Sequence, residues 1–172
     1  MCGFLVFIAK KKLPNTETFK KSLQLQNHRG PANLKIIELK EANAIIGAIR
    51  LPINDDAVRS DQPLKFKDKY FTFTGELYNY LEIKKMLFED GFKCDDLHGD
   101  TQVFAAAISY WGIEKSLEKF RGMYAAVYYN SSEENFYIIR DRLGIKPLYV
   151  YKDENCIIYS TEIKSIQYLK KK

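Results

Sequence analysis

Met123-Tyr124-Ala125-Ala126-Val127-Tyr128-Tyr129-Asn130 is followed, after Ser131-Ser132-Glu133-Glu134-Asn135, by Phe136-Tyr137-Ile138-Ile139-Arg140. The first run is apolar at odd and even positions alike. Side chains of a strand alternate between faces, so a strand apolar at both parities is covered on both sides. Such strands are often parallel, with helical crossovers. Here the link is too short for a crossover, so the pair is an antiparallel hairpin. The same reading applies elsewhere. Phe4-Leu5-Val6-Phe7-Ile8 and Ala44-Ile45-Ile46-Gly47-Ala48-Ile49 are apolar at both parities, and Leu148–Lys152 joins Cys156–Ser160 through Asp153-Glu154-Asn155. Antiparallel sheets buried on both sides need each other and an outer layer of helices.

Helical patterns supply that layer. Asn15 or Thr16 opens one, with Phe19 and Leu23 on its inner face. Asn79 stands three residues before Glu82, a capping-box-like start to a helix that buries Tyr80, Ile83 and Leu87. Asp100-Thr101 opens a third, with Val103, Phe104, Ala107, Ile108 and Trp111 inward. Shorter helices are expected over 113–120 and 162–169. The fold class is therefore α+β, two antiparallel sheets face to face with helices outside. No repeat or linker divides the 172 residues, so one domain spans 1–172.

Composition excludes several classes. Twelve Tyr and eleven Phe are far too many for a solvating disordered chain. Apolar runs such as Phe4–Ala9 fall well short of the ~20 residues of a spanning helix, and no secretory signal pattern is present. No membrane association is expected. Three cysteines, Cys2, Cys94 and Cys156, do not make a disulfide framework, which favours a reducing cytoplasm. The net charge of +5 comes with no basic stripe interleaved with aromatics, so no nucleic-acid partner is expected. His28, His98 and Cys94 lack paired-ligand spacing, so no metal is expected. Gly144-Ile145-Lys146-Pro147 lacks the residues of a phosphate loop.

Cys2 is the first chemical candidate. A small residue at position two permits removal of Met1. Cys2 then carries both a thiol and an α-amine of pKa about 7.7–8.0, a base suited to neutral pH. The alternative is a small buried residue that opens a strand. Arg50 offers a planar fork for a carboxylate, or is an arginine ending a strand. Asp100 is an acid for an ammonium group, or the N-cap of its helix.

Met1-Cys2-Gly3, Asn27-His28-Arg29-Gly30-Pro31, Arg50-Leu51-Pro52-Ile53, Thr74-Gly75-Glu76-Leu77-Tyr78-Asn79-Tyr80, Gly99-Asp100-Thr101, Arg140-Asp141-Arg142-Leu143-Gly144-Ile145-Lys146-Pro147-Leu148-Tyr149 and Thr161-Glu162-Ile163-Lys164 follow one another in order. Together they resemble the glutaminase domain of the asparagine synthetase family, among the class II, N-terminal-nucleophile (Ntn) glutamine amidotransferases. The resemblance covers nearly the whole chain. It implies an Ntn-hydrolase four-layer αββα sandwich and hydrolysis of L-glutamine to glutamate and ammonia. It assigns Cys2 as nucleophile and Gly75 with Thr74 to the oxyanion site. It assigns Arg50, Leu51, Pro52, Ile53, Asn54, Gly75, Glu76 and Asp100 to substrate binding, and His28 and Arg29 to loop structure. Two positions depart from the family: Thr74 stands where relatives carry Asn, and Ala32 where an acid is usual. Loss of one oxyanion donor costs about 10²–10³ in rate, so a glutamine-binding module without turnover is the alternative. The ATP-binding loop of a synthetase domain is absent from the sequence. ATP and Mg are thus expected only in a partner synthetase domain or subunit, and no cofactor in this chain. The segment 142–148 is the expected partner surface.

Overall fold

The computed structural model describes residues 2–30, 33–51, 61–94 and 97–171. Among the described residues nine strands form two antiparallel sheets. The first contains β1 (Gly3–Ala9), β2 (Asn33–Leu39), β3 (Ala44–Arg50), β8 (Tyr149–Lys152) and β9 (Cys156–Ser160), in the order β2-β3-β1-β9-β8. The second contains β4 (Leu64–Phe66), β5 (Lys69–Leu77), β6 (Gly122–Asn130) and β7 (Asn135–Arg140), in the order β4-β5-β6-β7. Helices α1 (Thr16–Gln24) and α5 (Ile163–Lys170) cover the first sheet, and α2 (Tyr80–Glu89) and α3 (Gly99–Trp111) the second. A short α4 (Ile113–Lys119) follows α3.

The parity of β1 explains the layering. Leu5, Phe7 and Ala9 pack with Phe19 and Leu23 of α1 and Ile166 and Leu169 of α5. Phe4 and Val6 point the other way, onto Val127 and Tyr129 of β6. Strand β6 repeats the device: Tyr124, Ala126 and Tyr128 join Phe104 of α3 and Ile83 and Leu87 of α2. Three apolar layers therefore separate four layers of secondary structure, the αββα arrangement expected. Each fully buried Phe or Leu contributes about 1.5–3 kcal/mol, so the doubly covered strands carry most of the burial energy. Among the described residues no helix is long and apolar enough to cross a membrane.

Local expectations held with exceptions. Asn15 caps α1 by accepting from Glu17 N–H at 2.8 Å. Asn79 does not form a capping box. Its side chain donates to Glu82 at 3.3 Å and to the Lys119 carbonyl at 3.0 Å, and accepts from Arg121 N–H at 2.9 Å, fastening α2 to the entry of β6. Helix α3 begins at Gly99, one residue before the expected Asp100 cap.

The segment after β7 is built around one carboxylate. Buried Asp141 accepts backbone N–H groups from Tyr124 (3.2 Å), Leu143 (3.1 Å), Ile145 (3.0 Å) and Lys146 (3.2 Å). Arg140 holds the same turn through the Lys146 carbonyl at 2.9 Å and the Gly144 carbonyl at 2.7 Å. Leu143 and Ile145 are left exposed on this braced loop.

Burial raises the Asp141 pKa, but the four N–H donors outweigh it and hold the carboxyl below its ordinary value. A depressed folded pKa gives stability that is present above the unfolded value, about 3.9, and is lost as pH falls through the folded value. Asp141→Asn is expected to destabilise by roughly 2–3 kcal/mol at pH 7, since it aims an amide N–H₂ at backbone donors. The deficit should narrow below pH ~4. Urea unfolding across pH measures both; a deficit independent of pH would contradict the assignment.

Candidate active site

The register of β1 against β3 sets Gly3 opposite Ile49, which brings Cys2 to the end of β3. The Cys2 thiol faces the Leu51 carbonyl at 3.9 Å. Burial pushes this thiol above its ordinary pKa, the Leu51 contact, the chain's terminal amine charge and the Arg50 charge pull it back less strongly, and Asp100 adds to the rise. The thiol form is therefore favoured over the thiolate.

The Cys2 carbonyl is held from two directions. Thr74, fully buried in β5, donates its hydroxyl to it at 2.7 Å. Arg29, in the 3-10 turn Asn27–Arg29, donates Nε to it at 3.2 Å and Nη1 to Glu162 Oε1 at 3.1 Å. Arg29 Nη2 is buried with no hydrogen-bond partner among the described residues.

The next residues of β1 are anchored by a buried polar network. Phe4 N–H donates to Thr161 Oγ1 at 3.1 Å, and the Thr161 hydroxyl donates to Gln26 Oε1 at 2.5 Å. Gln26 Nε2 reaches the Phe4 carbonyl at 3.2 Å, Ser160 Oγ at 3.1 Å and Ser165 Oγ at 3.0 Å. Gln26, Thr161, Ser160 and Ser165 are all within 1% of full burial.

Two glycines allow the close approaches around the site. A Cβ on Gly30 would stand 2.5 Å from the Arg50 carbonyl carbon, so only glycine lets this turn rest on the end of β3. Gly75 has φ +137°, and a Cβ there would lie 2.0 Å from the Met123 carbonyl oxygen. No side chain fits at position 75.

Charged groups surround this end of the sheets. Buried Arg50 pairs through Nη1 with Asp61 at 3.0 Å, and Asp61 also accepts from Asn33 at 2.8 Å. Asp100, the second residue of α3, does not cap its own helix. It accepts from Leu77 N–H at 3.1 Å and so ties α3 to β5 beside Gly75 and Glu76. Burial raises the Asp100 pKa, the Glu76 charge adds to that, and the Leu77 and Thr101 N–H groups oppose it. Lys146 is buried and its pKa is lowered by burial and by Arg29, with Glu76 pulling the other way. The Glu76 carboxylate thus lies near both Asp100 and Lys146.

The structure brings Cys2, Leu51 and Thr74 into contact, with Arg50 adjoining, and joins Asp100 to the strand carrying Gly75 and Glu76. Pro52, Ile53, Asn54 and Ala32 lie outside the described residues. Asp61 and Gln26 were missed by sequence reasoning, and Arg29 was assigned to the loop alone. Arg29 and Glu162 do fall inside quoted motifs, and Gln26 immediately precedes one. Among the described residues no group of three or more His, Cys, Asp or Glu is placed to hold a metal ion.

A four-layer sandwich with a cysteine leading its central strand has the architecture of an Ntn hydrolase. The chain belongs to the glutamine amidotransferase domain family, whose sequence profile matches residues 1–172. It is an enzyme domain of the glutamine amidotransferase family, similar in sequence to part of several asparagine synthetases. It is similar to asparagine synthetase [glutamine-hydrolyzing] 1 of Bacillus subtilis, at 32% identity over 96% of this chain and 26% of that protein. A putative asparagine synthetase [glutamine-hydrolyzing] 2 of Methanocaldococcus jannaschii is 30% identical over 96% of this chain and 35% of its own length. The chain thus spans about a quarter to a third of these relatives. In fold it is similar to glutamine phosphoribosylpyrophosphate amidotransferase from B. subtilis, with TM-score 0.79 at 18% identity, over 98% of this chain and 44% of the other.

Thr161→Val removes one hydroxyl at nearly constant shape, yet strands two buried groups, Phe4 N–H and Gln26 Oε1. A loss of roughly 2–4 kcal/mol is expected in chemical unfolding. A loss below ~0.5 kcal/mol would show that the network does not anchor β1.

Proposed function

We propose that Cys2, freed of Met1, is the nucleophile that hydrolyses L-glutamine. The reading rests above all on Cys2 being held where β1, the end of β3 and β5 meet, its thiol facing the Leu51 carbonyl and its own carbonyl accepting from Thr74. The Cys2 sulfur adds to the side-chain carboxamide carbon while its own α-amine takes the thiol proton. The Gly75 N–H is the oxyanion donor, with Thr74 beside it. The C–N bond then breaks, the protonated amine returns a proton to the leaving nitrogen, and ammonia departs. Water attacks the thioester with the amine again as base, and glutamate leaves.

Arg50 is the group that binds the substrate α-carboxylate. Asp100 and Glu76 receive the α-ammonium, which would draw down the raised Asp100 pKa by supplying a positive partner. Backbone groups of 51–54 line the other side. Ammonia passes to an ATP-dependent synthetase domain or subunit, where ATP and Mg belong. Support comes from the relatives named asparagine synthetase [glutamine-hydrolyzing], of which this chain matches only a part.

One observation favours a second reading, a glutamine-binding module without turnover. The single hydroxyl proton of Thr74 is engaged by the Cys2 carbonyl, so it is not aimed at a substrate oxygen.

The tests are direct. Ammonia release from glutamine is expected and should vanish in Cys2→Ala. Because burial raises the thiol pKa, kcat/KM should climb with pH through the α-amine range of about 7.7–8.0 and then level off. The second reading instead predicts glutamine stabilisation of about 2.7 kcal/mol at 100 times Kd with no ammonia.

A further inference from the structure

We propose that Thr74 is a positioning residue, holding the Cys2 main chain through its carbonyl rather than stabilising the oxyanion. This rests on the reading of Cys2 as nucleophile and concerns how that nucleophile is aimed.

A threonine hydroxyl has one proton to give. Here it lies on the Cys2 carbonyl at 2.7 Å, the shorter of the two contacts that oxygen receives. Thr74 is fully buried, at a β5 position paired with Ala125 of β6. No solvent competes for the bond, and the strand ladder fixes its origin. An oxygen whose proton is spent presents lone pairs to any third atom, which repels a developing oxyanion.

The two donors on the Cys2 carbonyl come from different parts of the fold. Thr74 belongs to the second sheet, whereas Arg29 belongs to the turn lying on the first sheet and is itself braced by Glu162 at the start of α5. Cys2 precedes β1, so its main chain gains no ladder hydrogen bond from β3 or β9 in the register that begins at Gly3 and Leu5. The carbonyl contacts therefore do for Cys2 what the ladder does for the residues after it. Thr74 also links the two sheets at the site, so displacement of one sheet against the other would move the sulfur. The oxyanion site is then left to the Gly75 N–H.

The two roles differ in a reaction that forms no oxyanion. Alkylation by iodoacetamide forms a carbon–sulfur bond and expels iodide, with the thiol proton passing to a base. Its rate reports how Cys2 is held and activated, not how a tetrahedral oxygen is stabilised. Peptide mass spectrometry separates Cys2 from Cys94 and Cys156. In Thr74→Val, kcat for glutamine and the Cys2 alkylation rate should fall together by about 10- to 100-fold, the cost of a misaimed nucleophile. KM should stay near its original value, and Thr74→Ser should recover most of both rates. Thr74→Ala carries the same expectation and serves if the valine variant does not fold.

If glutamine turnover falls in the Val and Ala variants while alkylation keeps its original rate, Thr74 is an oxyanion donor and the positioning role is wrong. Unchanged values of both would overturn it equally. Turnover that survives Cys2→Ala would instead sink the nucleophile reading, a result the Thr74 series cannot mimic.

Discussion

Placement of the Cys2 thiol depends on how firmly Phe4 is held. Its N–H enters Thr161 Oγ1, and its carbonyl accepts from Thr161 N–H at 3.2 Å and from Gln26 Nε2 at 3.2 Å, all out of reach of water. Buried bonds of this kind cost little to make and much to lose, because a stranded partner has no solvent to turn to. The following residues are paired on both edges, Leu5 with Gly47 and Ser160, Val6 with Ile46 and Tyr159. The strand is fixed laterally by its neighbours and vertically by the apolar layers above and below. An end held this way projects its first residues to one place.

That constraint was only partly legible in the sequence. The covered strands were plain because apolar residues at both parities admit few explanations, and the short polar links fixed them as antiparallel. Strand β5 passed unrecognised although Phe71, Phe73 and Leu77 alternate, because Thr72 and Thr74 read as polar and are in fact buried. Thr72 resolves this by donating to the Val127 carbonyl at 3.1 Å, a local satisfaction that composition does not reveal. Strand β2 was missed for the opposite reason. As an edge strand it carries exposed Lys35 and a solvent-facing Glu38, which blur the apolar pattern.

The site shows the same division. Cys2, Arg50, Thr74, Gly75, Glu76 and Asp100 could be singled out because their motifs stand in order along the chain. Their partners could not. The Arg50–Asp61 pair joins residues eleven apart in the sequence, and Gln26 meets Thr161 across 135 positions. Pairwise hydrogen bonds between distant side chains leave no periodic trace, since they depend on packing that periodicity does not encode.

The charges at the site also form a pattern that a bare motif conceals. Arg50 is buried beside Asp61, and Asp100 is buried beside Glu76, so cation and acid centres are desolvated before a substrate arrives. An unpaired buried charge is costly, and a paired one is tolerable. Arg50 meets that condition within the protein. Asp100 meets it only in part: its carboxyl accepts Leu77 N–H, but burial and the neighbouring acid still favour its protonated form. The N-terminal end of α3 therefore holds an electrostatic deficit that a cationic group would relieve. Under the proposed glutaminase reading, a zwitterion with its ammonium toward Asp100 relieves that deficit, whereas its carboxylate there would set an anion against two acids. The proposed orientation then follows from the asymmetry between Arg50, already paired with Asp61, and Asp100, whose neighbouring charge is another acid.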